Sequence, residues 1–141
     1  MYEDRIGQLR RDSPWARAYV NNLLEMHRVS SSIGARMVLV NLPGLVRKEG
    51  RDTSEYDLIV DRTRVTPENF DYWVEVKLFV SALLEDVAAS TGMQLIDVHA
   101  AFDSFSGVQR VDLYTDEMHF TDAGAREVAE AIHQAMASGV E

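Results

Sequence analysis

The chain has 141 residues, 46% of them hydrophobic, the size and composition of one globular domain with a substantial core. Lys and Arg number 14 against 23 Asp and Glu, and the resulting net charge of −9 argues against nucleic acid or an anionic membrane surface as a partner. The absence of cysteine excludes a disulfide framework, a thiolate metal site and a cysteine nucleophile.

The opening Met1-Tyr2-Glu3-Asp4-Arg5 is charged and lacks the apolar stretch of a signal peptide, and no apolar run is long enough to span a bilayer. The expectation is a soluble chain, cytoplasmic by default. Ser13-Pro14 supplies an N-cap and a first-turn proline, after which Trp15, Tyr19, Leu23, Met26 and Val29 recur at helical spacing to about Ser31. Gly34 stops that helix. Residues 36–42 then form a short apolar, β-branched run, the pattern of a strand buried on both faces, and Pro43-Gly44 ends it. Residues 45–65 are charged and without a sustained period, so they read as a long loop.

Thr66-Pro67-Glu68 restarts helix, and Phe70, Trp73, Val74, Phe79, Val80, Leu83, Leu84 and Val87 mark a long apolar face that ends near Thr91-Gly92. Residues 93–98 read as a second buried strand, followed by a loop around Phe102 and Phe105. Thr121 caps a last helix whose stripe is Ala125, Val128, Ala129, Ile132, Ala135 and Met136, with Gly139 closing it. Helix, strand, helix, strand, helix implies an α/β domain covering residues 1–141 with a parallel sheet, because parallel neighbours need a crossover between them. Two parallel strands leave an edge to protect. Sequence upstream of Met1, a short unseen strand or a partner subunit would each supply the missing neighbour.

Asp116-Glu117-Met118-His119-Phe120-Thr121-Asp122-Ala123-Gly124 is the stretch that carries chemistry. An acid three residues before a histidine places both side chains on one side of a turn. A carboxylate on one ring nitrogen then leaves the other nitrogen free to act as a base. The plainer reading is a polar loop with a surface histidine. Asp116, Glu117, His119 and Asp122 also read as a hard-metal cluster, but Asp122 is better used at a helix start, where negative charge is favourable. No metal site is assigned.

The segment 116–124, with Val128, Ala129 and Ile132 behind it, resembles the C-terminal Asp-x-x-His block of the SGNH (GDSL-type) hydrolases, which often carries Thr two residues later and a glycine beyond. Residues 34–43 are similar to the family's penultimate strand and proline loop, residues 94–102 to its last strand, and Tyr19 with Asn22-Leu23 to the helix before the penultimate strand. The resemblance implies a flavodoxin-like three-layer α/β/α fold, incomplete on its N-terminal side. It also implies hydrolysis of ester bonds in a small ester or an acylated carbohydrate or lipid, without a cofactor. Under it Asp116 is the orienting acid and His119 the general base.

The family's Gly-Asp-Ser block, oxyanion glycine and Gly-x-Asn-Asp block have no counterpart here, and the resemblance puts them upstream of Met1. Asn21 and Asn22 sit within a helix and cannot replace them. Ser104, in Asp103-Ser104, and Ser106 follow the last strand without the preceding glycine and read as turn residues; Ser30, Ser31 and Ser32 end a helix. His27 and His133 read as helix-surface residues. His99 and Asn41 end strands on the side where open parallel sheets bind ligands. Two functions follow. One is a serine hydrolase for which this chain supplies the acid and base. The alternative is a non-catalytic relative serving as a binding or assembly module, dimerising through the exposed sheet edge.

Overall fold

The computed structural model describes residues 9–50 and 53–138, and the expectations for Met1-Tyr2-Glu3-Asp4-Arg5 and Gly139 lie outside them. The chain is mixed α/β and mostly helical, with a small two-stranded parallel sheet. It divides into two compact units, one built from residues through Asn41 plus Glu75–Ile96, the other from Leu42–Val74 plus the chain from Asp97 onward.

In the first unit, α1 (Pro14–Ser32) starts where the Ser13 hydroxyl accepts the Ala16 N–H at 3.3 Å, with proline in the first turn. It ends as Gly34 takes φ +73°, the left-handed conformation a side chain resists. Its packed stripe is Ala16, Tyr19, Val20 and Leu23, with Ala16 fully buried. Trp15, Met26 and Val29, expected on that stripe, are instead exposed. The strand β1 (Val38–Asn41) is shorter than the apolar run that encodes it. Its residues alternate between half-buried and buried, so only one face is fully covered and the expectation of two buried faces is corrected. The strand β2 (Gln94–Asp97) is its parallel neighbour, and among the described residues each strand has one partner.

The core of this unit is Leu39, Leu84, Val87 and Met93. Two of the four come from α3 (Phe70–Thr91), the long apolar helix, which closes before Gly92 at φ +71°. Helix begins at Phe70 rather than at Thr66-Pro67-Glu68 because that segment is spent on a turn, in which Asn69 Oδ1 accepts the Thr66 N–H at 2.7 Å.

In the second unit, the expected long loop over 45–65 is corrected: it contains a 3₁₀ turn (Lys48–Gly50) and a helix, α2 (Ser54–Arg62). Thr53 caps α2, its hydroxyl accepting the Glu55 N–H at 3.2 Å and donating to the Gly50 carbonyl at 2.7 Å. The helix was hard to see because its buried positions are Ile59 and a carboxylate, Glu55, so the apolar period is broken by a charge. The loop expected around Phe102 and Phe105 likewise folds into two short helices, α4 (His99–Asp103) and α5 (Gly107–Val111). The last helix, α6 (Asp122–Ser138), is capped as expected by Thr121, whose hydroxyl accepts the Gly124 N–H at 3.2 Å. Of its apolar stripe, Val128, Ile132 and Ala135 are half-buried, while Ala125, Ala129 and Met136 are exposed.

Candidate functional site

The segment joining α5 to α6 is a closed loop rather than a free one. Tyr114 and Phe120 form an isolated antiparallel bridge, and the Thr115 N–H donates to the His119 carbonyl at 2.8 Å. The Tyr114 and Phe120 rings lie 4.9 Å apart and both pack on the buried Phe102 ring, at 5.8 and 5.5 Å. Residues 115–119 therefore stand on an aromatic base, with Thr115, Met118 and His119 exposed and Asp116 and Glu117 half-buried.

Inside that loop Asp116 Oδ1 accepts the backbone N–H of Met118 at 2.9 Å and of His119 at 2.8 Å. This is the local side-chain turn that aspartate makes readily. The same carboxylate reaches the imidazole, with His119 Nδ1 at 2.9 Å from Oδ1 and 2.8 Å from Oδ2. The two backbone donors and the histidine hold the Asp116 carboxyl down at about 2, first through Met118 N–H and then through the His119 ring. Asp116 is thus an anion at any physiological pH. It can only accept, so Nδ1 carries the proton toward it and Nε2 is left as the basic nitrogen of the neutral ring. The His119 side chain is 76% exposed, which leaves Nε2 open to an incoming group.

The rest of the motif has a physical reading. Besides capping α6, Thr121 donates its hydroxyl hydrogen to the Asp112 carbonyl at 3.0 Å and its N–H to the Leu113 carbonyl at 2.9 Å. Gly124 is required by close approach: a Cβ there would lie 2.1 Å from the Leu113 carbonyl oxygen. Threonine and glycine at these positions seat the first turn of α6 directly against the chain that enters the Asp-His loop.

Other candidates fall elsewhere. His99 opens α4, its N–H donating to Asp97 Oδ1 at 3.0 Å. Asn41 is buried, and its Oδ1 receives Lys77 Nζ at 3.2 Å and the Ser81 hydroxyl at 3.1 Å, so it ties the end of β1 to α3. The Ser104 hydroxyl donates to the Ala101 carbonyl at 2.9 Å at the end of α4, and Ser106 is the N-cap position of α5. Ser30 and Ser32 bond back to the carbonyls of Met26 and Val29. His27 is half-buried on α1, whereas Asn21 and Asn22 on α1 and His133 on α6 are exposed. Among the described residues no three His, Asp or Glu side chains are grouped so as to hold a metal ion. No described helix is long and apolar enough to cross a membrane. A cavity of about 300 Å³ in the first unit, lined by His27, Arg36, Met37 and Gln94 among others, involves neither Asp116 nor His119.

Sequence reasoning missed a buried charged group in the second unit. Glu55 receives both Nε and Nη2 of Arg47, at 3.0 and 2.9 Å, and the Gly107 N–H at 3.2 Å. Arg110, with its side chain only 2% exposed, stands 3.7 Å from the same carboxylate and donates to the carbonyls of Phe102 at 2.8 Å and Gly44 at 2.9 Å. Burial lowers the Arg110 pKa and raises that of Tyr114. The one usable hint in the sequence was Arg110 lying between Val108 and Val111, a charge within an apolar pattern.

No family model, curated protein or solved structure matches the chain.

Proposed function

We propose that the chain is the C-terminal part of an SGNH-type serine hydrolase domain of three-layer α/β/α, flavodoxin-like architecture, and that it supplies the acid and base of the triad. The observation that carries this reading is the Asp116 carboxylate against His119 Nδ1 at 2.8 Å, in a loop that leaves Nε2 open. The parallel pair of strands and the seating of Thr121 and Gly124 against the loop support it as well.

In this mechanism His119 Nε2 takes the proton of a serine hydroxyl as its oxygen attacks the ester carbonyl. Asp116 stabilises the imidazolium that results, and His119 then returns the proton to the departing alkoxide. The substrate is a small ester or an acylated carbohydrate or lipid. Serine and oxyanion donors belong to a Gly-Asp-Ser-bearing stretch outside this sequence. Without such donors, catalysis falls by on the order of 100-fold or more even where a nucleophile is present.

The test is fluorophosphonate labelling and hydrolysis of an activated acetate ester. The chain alone is expected to give neither labelling nor a burst. Joined to a Gly-Asp-Ser-bearing polypeptide that supplies the missing blocks, the chain is expected to support labelling of that serine, lost in His119→Ala. Equal hydrolysis by the joined protein and its His119→Ala form, or stoichiometric labelling of the chain alone, would overturn the assignment. The second reading, a binding or assembly module, draws on one observation: β1 and β2 have one strand partner each among the described residues.

A further inference from the structure

We infer that Glu55, clamped by Arg47 and Arg110, is a positioning residue for the Asp116–His119 loop. Two routes join this buried cluster to the loop. The first runs through backbone. Arg110 Nη2 holds the Gly44 carbonyl at 2.9 Å, Arg47 is fixed by its two bonds to Glu55, and between them the Leu45 N–H donates to the Glu117 carbonyl at 3.4 Å. Glu117 lies between the dyad residues, so the segment 44–47 sets where the middle of their loop sits. The second route runs through the aromatic base. Arg110 Nη1 holds the Phe102 carbonyl at 2.8 Å and its guanidinium lies 5.9 Å from the Tyr114 ring centre. Phe102 carries both Tyr114 and Phe120, the residues that bracket the loop.

Both routes depend on a carboxylate at position 55. Its side chain is 3% exposed and stands against both guanidiniums, whereas Asp103 is a more distant and exposed partner of Arg47 at 3.6 Å. Removing its charge leaves the Arg47 and Arg110 guanidiniums without the carboxylate between them, which displaces the Arg110 group that holds both the Gly44 and the Phe102 carbonyls. The cluster does not touch the dyad side chains; it acts through the backbone and rings beneath them. A buried cluster of this kind opens as a unit, so its members and the loop it holds share one opening event.

This inference rests on the dyad reading for its functional meaning, but its test does not need hydrolysis. The experiment is NMR on the chain bearing Glu55→Gln and, separately, Arg47→Gln. In each variant the Asp116 carboxyl is expected to titrate above its original value of about 2, toward the ordinary 3.8, as Met118 and His119 N–H loosen from it. Amide exchange at His119 is expected to accelerate by roughly tenfold or more while Leu84 and Val87 in the first unit keep their protection. If a variant does not fold, native-state exchange of the unmodified chain decides. The Gly107 and His119 amides are expected to open together with one denaturant dependence. An unmoved Asp116 titration in a folded variant, equal loss of protection everywhere, or separate opening of Gly107 and His119 would each overturn the role. The hydrolysis test could still succeed in that event, and its failure would leave the positioning result standing.

Discussion

At the residue scale, one carboxylate organises the candidate site. Asp116 binds two backbone N–H groups and one imidazole nitrogen, so it both makes the turn and orients the His119 ring. Its folded pKa lies below the ordinary value, so its stabilising contribution is fully present above about 3.9 and is lost as pH falls through about 2. The Asp116 carboxyl carbon is therefore expected to titrate with a midpoint near 2, and a midpoint at 3.8 would show that the three donors do not hold it. In a protein completed by its serine, Asp116→Asn is expected to lower kcat by about 10⁴-fold, with little change in KM, through loss of tautomer control. The steady-state rate of ester hydrolysis reads this directly. The spacing of Asp116 and His119 was legible in the sequence. Glu55 was not, because a charged residue on the buried face of α2 looks like a break in the pattern until Arg47 and Arg110 are brought to it.

At the element scale, helices with ordinary signals were read and short ones were not. The caps and left-handed glycines around α1 and α3 announce themselves by residue type, and Ser13, Gly34 and Gly92 act as expected. The helices α4 and α5 span five residues each, too few for a 3.6-residue period to show. Their order comes from Phe102 and Arg110 packing at a distance in sequence. Gly124→Ala is expected to destabilise the fold by about 2 kcal/mol, because the obstacle to the new methyl is backbone, the Leu113 carbonyl, which cannot rotate aside. Thr121→Ala removes the hydroxyl that caps α6 and binds the Asp112 carbonyl, at a cost of about 1 kcal/mol. Urea denaturation measures both, and a wild-type midpoint for Gly124→Ala would contradict the close approach.

At the scale of the whole molecule, the sheet has two strands among the described residues. A two-stranded parallel sheet is a small core for strands as apolar as 38–40, and the proposed domain would continue it with further strands. The chain by itself is then expected to melt at a temperature that rises with protein concentration, as copies cover one another's strand edges. A monomer by sedimentation, with a cooperative and concentration-independent melt, would contradict that expectation. The parallel order was legible because two short apolar runs are separated by a long helix. The division into two compact units was not, because α3 is one unbroken apolar helix that contributes residues to both.

The role proposed for Asp116, fixing His119 as a base at Nε2, is reported directly by the ring nitrogens. A ¹⁵N–¹H correlation spectrum of the neutral His119 imidazole is predicted to place the proton on Nδ1, with that preference lost in Asp116→Asn. A neutral ring protonated on Nε2, unchanged by Asp116→Asn, would contradict it.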